Sequence, residues 1–208
     1  MKNTFRRTTS GRRSGQRFDA DHGVVTEALL FLGELDPEAI GDAIEDATHY
    51  EPTPVKECTA LLDALPIRVD GWTFVDIGAG MGRVALLASL RAFKQVVGVE
   101  VSGALCETAR DNLVRWRRAH PAAPCKDVRI VHADAAEFRL PHGNLVVYLY
   151  NPFGERTLMR LAHAIAQRDE ACYVVYHTPV HRGVLDEHAR FEVVEETAFG
   201  AIYRLRVA

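Results

Sequence analysis

The sequence contains no run of apolar residues long enough to cross a membrane. A membrane-spanning helix needs about 18 or more consecutive apolar residues, and no stretch of the 208 residues approaches that length. There is no apolar signal-peptide core either. The four cysteines, Cys58, Cys106, Cys125 and Cys172, are widely spaced and form no C-x-x-C pair. We therefore expect a cytoplasmic protein with reduced thiols and no membrane partner.

Two successive stretches each lack charged residues of one sign, acidic in the first and basic in the second. Residues 1–17 contain six Lys and Arg residues and no acid, whereas residues 18–55 contain many acids and neither Lys nor Arg. The first stretch also lacks the apolar residues that would offset the entropy cost of ordering a chain, so we expect a disordered tail. A nucleic-acid-binding arm or an organelle transit peptide has a similar composition. The overall formal charge of -3 favours no particular partner.

The remaining length and composition suit one α/β domain with an N-terminal extension. A chain of 208 residues with 48% hydrophobic residues can bury one substantial core. The extension is expected to be helical over residues 23–35 and 36–47. A third helix is predicted from Thr53 as N-cap and Pro54 at the first helical position, with Cys58, Leu61, Leu62 and Leu65 on its apolar stripe. We expect these helices to cover a ligand pocket.

Residues 74–83, FVDIGAGMGR, are the most informative stretch of the chain. Apolar residues lead into Asp76, three alternating glycines follow, and an apolar helical pattern comes after them. This order predicts a buried strand, a tight turn and a buried helix. Glycines let a ligand approach the backbone closely, and a helix N-terminus offers unpaired N–H groups. A dinucleotide fingerprint would place glycine at the position of Arg83, so the match to that motif is poor.

Two further predicted strands each lead to an acidic residue. Glu100 ends a strand over residues 95–100, about 20 residues past the turn, where α/β nucleotide sites place a carboxylate for ribose hydroxyls. Asp134 follows a less regular strand over residues 128–132. Because parallel strands end at the same edge of a sheet, Asp76, Glu100 and Asp134 are expected to lie along one edge.

The G-x-G-x-G run behind Asp76 resembles motif I of the class I S-adenosylmethionine (SAM)-dependent methyltransferases. The resemblance implies an α/β, three-layer Rossmann-like fold with a mostly parallel seven-stranded sheet in the order 3-2-1-4-5-7-6, the last strand antiparallel. It also implies SAM as cofactor, S-adenosylhomocysteine as product, and an adenine contact from Asp134 and Ala135. The cofactor-binding residues expected on this basis are Tyr50, Thr53, Asp76, Gly78, Ala79, Gly80, Gly82, Arg83, Glu100, Val101, Asp134, Ala135 and Asn151.

Two of these residues come from a segment before the glycine turn. Residues 50–54, YEPTP, resemble a Y/F-x-P-T-P element of a subset of SAM enzymes, including non-SET protein lysine methyltransferases. In those relatives the element closes over SAM. Plain helix capping explains Thr53 and Pro54 equally well, but it leaves Tyr50 unexplained.

The loop after the fourth strand is the expected place of chemistry. Asn151, Pro152 and Phe153 resemble the (N/D)-P-P-(Y/F) loop of amino-group methyltransferases with one proline missing, and a similar loop occurs in uncharacterised bacterial methyltransferases. The resemblance implies that these residues orient an amine acceptor. The missing proline argues against a nucleic-acid base as substrate. A type I or II turn with proline at its second position would also account for Pro152 and Gly154.

The sequence thus predicts three segments: a basic tail at 1–17, a helical lid at 18–70 and a SAM-binding methyltransferase domain at 71–208. The favoured acceptor is an amine, either on a protein, such as a lysine side chain, or on a small molecule. An O-methyltransferase or other small-molecule methyltransferase is one alternative. A non-catalytic SAM-binding protein whose tail binds nucleic acid is another. His177 and His181 have a spacing that metal sites use, but they lack companion ligands, so no metal is expected.

Overall fold

A seven-stranded sheet runs through the centre of the computed structural model, which describes residues 9–27, 30–31, 49–151 and 153–207. The helices are α1 (Thr9–His22), α2 (Val55–Asp63), α3 (Arg83–Ala88), α4 (Gly103–Ala119), α5 (Glu155–Ala166) and α6 (Gly183–Asp186). The strands are β1 (Leu30–Phe31), β2 (His49–Tyr50), β3 (Thr73–Ile77), β4 (Gln95–Glu100), β5 (Val128–His132), β6 (Leu145–Leu149), β7 (Cys172–His177), β8 (Phe191–Thr197) and β9 (Gly200–Leu205).

The main sheet has the order β5-β4-β3-β6-β7-β9-β8. Strands β3 to β7 are parallel to one another, and β9 is antiparallel to both β7 and β8. Numbered from β3 as the first strand, this is the order 3-2-1-4-5-7-6, so the predicted fold class is confirmed. β1 and β2 form a separate two-stranded antiparallel sheet.

Helices cover both faces of the sheet because its central strands are apolar on both sides. Every residue of β3, β6 and β7 is buried, which is the pattern of a parallel sheet packed between helices. One core contains side chains of α1, α2, α3 and α4, and the other contains side chains of α5 and α6. The predicted apolar stripe, Cys58, Leu61, Leu62 and Leu65, lies in the first of these cores.

The start of the chain differs from the expectation of a tail through residue 17. Helix α1 begins at Thr9, and Phe18 near its end is buried with its ring centroid 5.7 Å from that of Trp116. Packing against α4 therefore stabilises a segment whose composition gives little reason for order. Residues 1–8 lie outside the described residues.

The helices predicted for the N-terminal extension agree with the structure only in part. Residues 24–27 have no regular structure and Leu30–Phe31 is a strand, so the helix expected over residues 23–35 is wrong where the structure describes it. The helix expected over residues 36–47 lies outside the described residues. Helix α2 begins one residue later than predicted, with Pro54 rather than Thr53 as N-cap and no capping side chain. Pro54 can hold this position because its carbonyl accepts the first helical hydrogen bond, from the Cys58 N–H at 3.0 Å.

Among the described residues, no helix is long and apolar enough to cross a membrane. All four cysteines are buried free thiols.

Candidate cofactor and acceptor site

The turn between β3 and α3 depends on three glycines with left-handed backbones. Gly78, Gly80 and Gly82 have φ angles of 77°, 53° and 87°, which cost glycine almost nothing and other residues considerably more. The N–H groups of Gly78 and Ala79 both donate to the Val99 carbonyl at 2.9 Å. The turn is therefore folded against the end of β4.

Glu100 connects this turn to the next strand. Its Oε2 accepts a hydrogen bond from the Gly80 N–H at 2.8 Å, and its Oε1 accepts one from the Ser102 N–H at 2.9 Å. Burial raises the pKa of Glu100, and the backbone N–H groups partly oppose that rise. Each carboxylate oxygen can accept a second hydrogen bond, so the group can still receive hydroxyls.

Asp76 carries the least satisfied polar atom of the site. The residue is 3% exposed, and its Oδ2 has no hydrogen-bond partner within the described part of the chain. Burial, followed by repulsion from the nearby Glu100 carboxylate, raises the pKa of Asp76 to about 8. A buried oxygen without a partner is costly, so the position suits a ligand that brings a cation or a donor.

Asp134 lies at the same edge of the sheet, beyond β5. The Ala133 N–H donates to the Glu100 carbonyl at 3.0 Å, which brings the β5 loop to the end of β4. Asp134 is half-buried, and its Oδ1 accepts the Ala136 N–H at 2.7 Å. Ala135 beside it is also half-buried. The structure thus brings Asp76, Glu100 and Asp134 to three adjacent strand ends.

The loop after β6 is joined to the loop after β7. Asn151 and Thr178 are the two non-glycine residues with positive φ in the described structure, at 41° and 46°. The Asn151 side-chain amide donates to the Thr178 carbonyl, and its Oδ1 accepts the Val180 N–H at 3.2 Å. Uncommon backbone angles of this kind concentrate at functional sites. Pro152 lies outside the described residues, and Phe153 is half-buried against the core under α5.

An open groove of about 470 Å³ lies next to this pair of loops. One wall is the segment after β7, which contains Thr178 and Val180. The other wall is the β8–β9 turn, which contains Phe199. Arg182 and Glu196 bridge the two walls with an ion pair of 2.8 Å. Asn151 does not line the groove itself, but its side chain is hydrogen-bonded to Thr178 and Val180, which do.

Comparison with known proteins decides the class. Residues 75–151 match the family model described as a methyltransferase domain. Residues 75–151 are thus similar to a methyltransferase domain. The matched segment begins in β3 and ends at Asn151, so it contains the glycine turn and all three acidic strand ends. No curated protein matches the sequence.

Solved structures of methyltransferases share the fold. An RNA methyltransferase from Salinibacter ruber, in complex with S-adenosyl-L-homocysteine, aligns over 74% of this chain and 92% of its own, with 19% identity and a TM-score of 0.50. A SAM-dependent O-methyltransferase from Thermotoga maritima aligns over 76% and 68%, with 15% identity and a TM-score of 0.53. A predicted N6-adenine-specific DNA methylase from Listeria monocytogenes aligns over 76% and 52%, with 12% identity and a TM-score of 0.57. At these identities the likeness concerns the fold alone.

The residues of the methyltransferase domain fit SAM by several observations. The orphaned Asp76 oxygen suits the ammonium group of the cofactor, and Gly78 at the start of the glycine turn is exposed, whereas Gly80 and Gly82 are buried. Val101, half-buried, follows Glu100 directly, and its carbonyl contacts His132 Nε2 at 2.8 Å. No three His, Cys, Asp or Glu side chains of the described residues gather where they could hold a metal ion.

Arg83 has partners different from those expected of a cofactor-binding residue. Its side chain is 2% exposed, and it donates to Thr26 Oγ1, to a Glu27 carboxylate oxygen and to the Thr53 carbonyl. The guanidinium of Arg83 therefore joins the N-terminal segment to the start of α3. Thr53 is buried and accepts through its backbone. The backbone of Tyr50 forms β2, and its side chain is outside the described part of the structure.

A polar chain that the sequence does not reveal connects α2 with β6 and β7. Tyr148 and His177 Nδ1 are 2.8 Å apart, and His177 Nε2 is 2.9 Å from a Glu57 carboxylate oxygen. A carboxylate accepts, so Nε2 donates to Glu57, and Nδ1 accepts from the Tyr148 hydroxyl. The Tyr150 ring stacks on His177 with centroids 4.4 Å apart. Glu57 and His177 are 120 residues apart in the chain, and only the apolar run ending in His177 hints at this position.

Proposed function

We propose that this enzyme transfers the methyl group of SAM to an amine nitrogen, with a protein lysine side chain as the favoured acceptor. The observation that carries the proposal is the position of the Asn151 carboxamide, two residues after β6, where it is hydrogen-bonded to Thr178 and Val180 in one wall of the groove. The resemblance of Asn151, Pro152 and Phe153 to an amino-group methyltransferase loop supports the same acceptor.

The cofactor half of the proposal assigns a role to each strand end. Asp76 would pair with the SAM ammonium group, Glu100 would accept ribose hydroxyls, and Asp134 with the Ala135 N–H would hold adenine. Gly78, Ala79, Gly80, Gly82 and Val101 would contact SAM through their backbones. When bound, SAM supplies a methyl group on a sulfonium, which is reactive toward a neutral nitrogen.

The acceptor half rests on hydrogen-bond geometry. Asn151 Oδ1 accepts the Val180 N–H, and an amide oxygen has two lone pairs. The second can accept an N–H of a neutral amine and direct the nitrogen lone pair toward the methyl group. Alignment of two reactants can supply roughly 7–11 kcal/mol of a barrier, so a dedicated base is not required. Phe153 would contribute an aromatic surface below the acceptor.

The cofactor assignment is tested first by thermal stability. A SAM concentration 100 times its dissociation constant should stabilise the fold by about 2.7 kcal/mol. For a chain of this length that corresponds to a rise in Tm of about 5–11 °C. An unchanged Tm with both SAM and S-adenosylhomocysteine contradicts the assignment.

The acceptor class is tested with methyl-labelled SAM. The protein is incubated with cell extracts separated into protein, nucleic acid and small molecules, and the labelled product is hydrolysed and identified. Methylated lysine or another methylamine supports the proposal. A methyl ether or ester would favour the O-methyltransferase alternative, and labelled nucleic acid would contradict the protein acceptor. SAM binding without turnover, together with salt-sensitive nucleic-acid binding lost on deleting residues 1–17, would favour the interaction protein.

The role of Asn151 is tested with three variants. Asn151→Gly removes the carboxamide without straining the left-handed backbone, whereas Asn151→Ala removes it and adds strain. Asn144→Ala removes an exposed carboxamide outside the groove and is the matched control. We expect both Asn151 variants to lower kcat at least tenfold with little change in the Kd for SAM. An undiminished kcat in Asn151→Gly would remove this residue from the mechanism.

Two broader expectations belong to the same proposal. We place the enzyme in the cytoplasm, because its four cysteines are free thiols. We also propose residues 71–208 as the catalytic domain and residues 18–70 as its cover. Contacts of Thr26 and Thr53 with Arg83 support the second point.

A further inference from the structure

We propose that residues 24–27, which we call the N-terminal strap, position the glycine turn for SAM through Asn112 and Arg83. The inference rests on the assignment of SAM to this turn. It makes Asn112, Thr26 and Arg83 positioning residues for the cofactor, acting from the side of the turn that faces α1 and α4.

Asn112 provides the first connection. The residue is fully buried in α4, and its amide Nδ2 donates to the Val25 carbonyl at 2.7 Å and to the Met81 carbonyl at 3.0 Å. Its Oδ1 accepts the Val25 N–H at 2.8 Å. Met81 lies between the second and third glycines of the turn. One side chain thus fixes the strap and the turn to each other.

Arg83 provides the second connection, immediately after Gly82. Its Nε donates to Thr26 Oγ1 at 2.7 Å, and one terminal nitrogen donates to a Glu27 oxygen at 2.8 Å. A buried guanidinium is tolerated when it is paired and hydrogen-bonded, and here the strap supplies both kinds of partner. The first residue of α3 therefore keeps its position only while the strap is in place.

Asp19 holds the strap itself in shape. Its Oδ2 accepts the N–H groups of Thr26 and Glu27 at 2.6 and 2.7 Å, and its Oδ1 accepts from Thr26 Oγ1. The Asp19 carboxylate is also 3.6 Å from the Arg83 guanidinium. The strap is thus a hydrogen-bonded unit built around one hydroxyl and one carboxylate.

The glycines explain why such a support matters. Three residues without side chains give the turn many accessible conformations, and fixing them costs entropy. If the strap fixes the turn before SAM arrives, that cost falls on folding rather than on binding, and affinity rises. Thermodynamic linkage requires the reverse effect as well. If the attached strap raises the affinity for SAM by a given factor, bound SAM should shift the equilibrium toward the attached strap by the same factor.

The test compares variants of the full chain by calorimetric Kd for SAM. Thr26→Val removes the hydroxyl with little change in shape, whereas Thr26→Ser keeps a hydroxyl at this position. Asn112→Ala removes the amide that joins the strap to Met81 in the turn. Leu161→Ala, in the core on the opposite face of the sheet, is the control for general destabilisation. All are measured at a temperature where each protein is folded.

We expect Thr26→Val and Asn112→Ala to weaken SAM binding by about tenfold, and Thr26→Ser to stay near the original protein. Leu161→Ala should lower Tm with an unchanged Kd. Hydrogen exchange on the unmodified protein should show slower exchange at residues 25–27 when SAM is added. Should Asn112→Ala fail to fold, Thr26→Val decides.

A Kd within twofold of the original in Thr26→Val overturns the proposal, as does an equal weakening in Leu161→Ala. Exchange at residues 25–27 that ignores SAM overturns it too. Failure of the unmodified protein to bind SAM would overturn the cofactor assignment together with the strap. A failure of the amine acceptor alone would leave these results unaffected, because no acceptor is present in the measurements.

Discussion

Asp76→Asn should raise the stability of the free protein and weaken its binding of SAM. Asp76 is 3% exposed, its Oδ2 lacks a partner among the described residues, and burial raises its pKa from 3.8 to about 8. Between these two pH values the folded protein binds more protons at this site than the unfolded chain. The stability contributed by the site therefore falls as pH rises through that window.

The magnitude follows from the same shift. Each pH unit in the window corresponds to about 1.4 kcal/mol, and 1 kcal/mol moves Tm by about 2–4 °C for a chain of this size. The Tm advantage of Asp76→Asn should thus grow by about 3–6 °C from pH 6 to pH 7, starting near zero at pH 4 and levelling off above pH 8.

Binding should show the opposite dependence. An ammonium group pairs with the ionised carboxylate, so SAM binding near pH 7 should release close to one proton from Asp76. Calorimetry in buffers of different ionisation enthalpy measures that proton, and the Kd should fall by up to about tenfold per pH unit from pH 6 toward pH 8. Asp76→Asn should bind weakly with a nearly flat profile. A Tm difference that stays constant from pH 5 to pH 8, or no proton release by the unmodified protein, would refute the reasoning.

Three further predictions follow from buried groups. His177→Ala should cost about 1–3 kcal/mol in chemical denaturation, because it removes the imidazole that is hydrogen-bonded to the buried Tyr148 hydroxyl. Tyr148→Phe should cost less, and equal costs would count against the hydrogen-bonded chain. Gly98→Ala should lower the stability by about 1–3 kcal/mol, because the added Cβ would lie 2.9 Å from a side-chain atom of β5. The control is Gly103→Ala, whose Cβ would lie 3.5 Å from its nearest neighbour and which should be near neutral. An unchanged stability in Gly98→Ala would show that the sheet adjusts to the added methyl group. The four buried thiols should react with a thiol reagent after denaturation and not before; rapid labelling of the native protein would contradict their burial.

Much of the central domain could be predicted because its signals are local. A buried strand, a run of left-handed glycines and an acid at a fixed offset are each encoded within a few residues, and the strand order was implied by the resemblance to the class I methyltransferases. The N-cap of α4 is such a local signal, since the Ser102 hydroxyl accepts a hydrogen bond from the Leu105 N–H three residues later. The apolar stripes were equally visible, since helical periodicity is a property of sequence alone.

The parts that escaped prediction depend on distant partners. Arg83 stands where a cofactor contact was expected, but its hydroxyl partner Thr26 is 57 positions away in the chain. Helix α1 has a composition typical of a tail, and it is the packing of Phe18 on Trp116 that gives it a place. No periodicity in the sequence announces such pairings. The roles proposed for Asn151 and Phe153 in the acceptor site stay predictions, because the sequence does not identify the acceptor.

The mutual attachment of Asn151 and Thr178 constrains how the preference for a methyl acceptor can change. Each loop holds an unfavourable backbone angle, and the side chain of one satisfies the main chain of the other. A graft that replaces either loop from another enzyme would break this arrangement and leave both in the wrong shape. New acceptor preferences should therefore arise by exchanging the two loops as a single cassette, and chimaeras that swap one loop should lose activity toward both the old and the new acceptor.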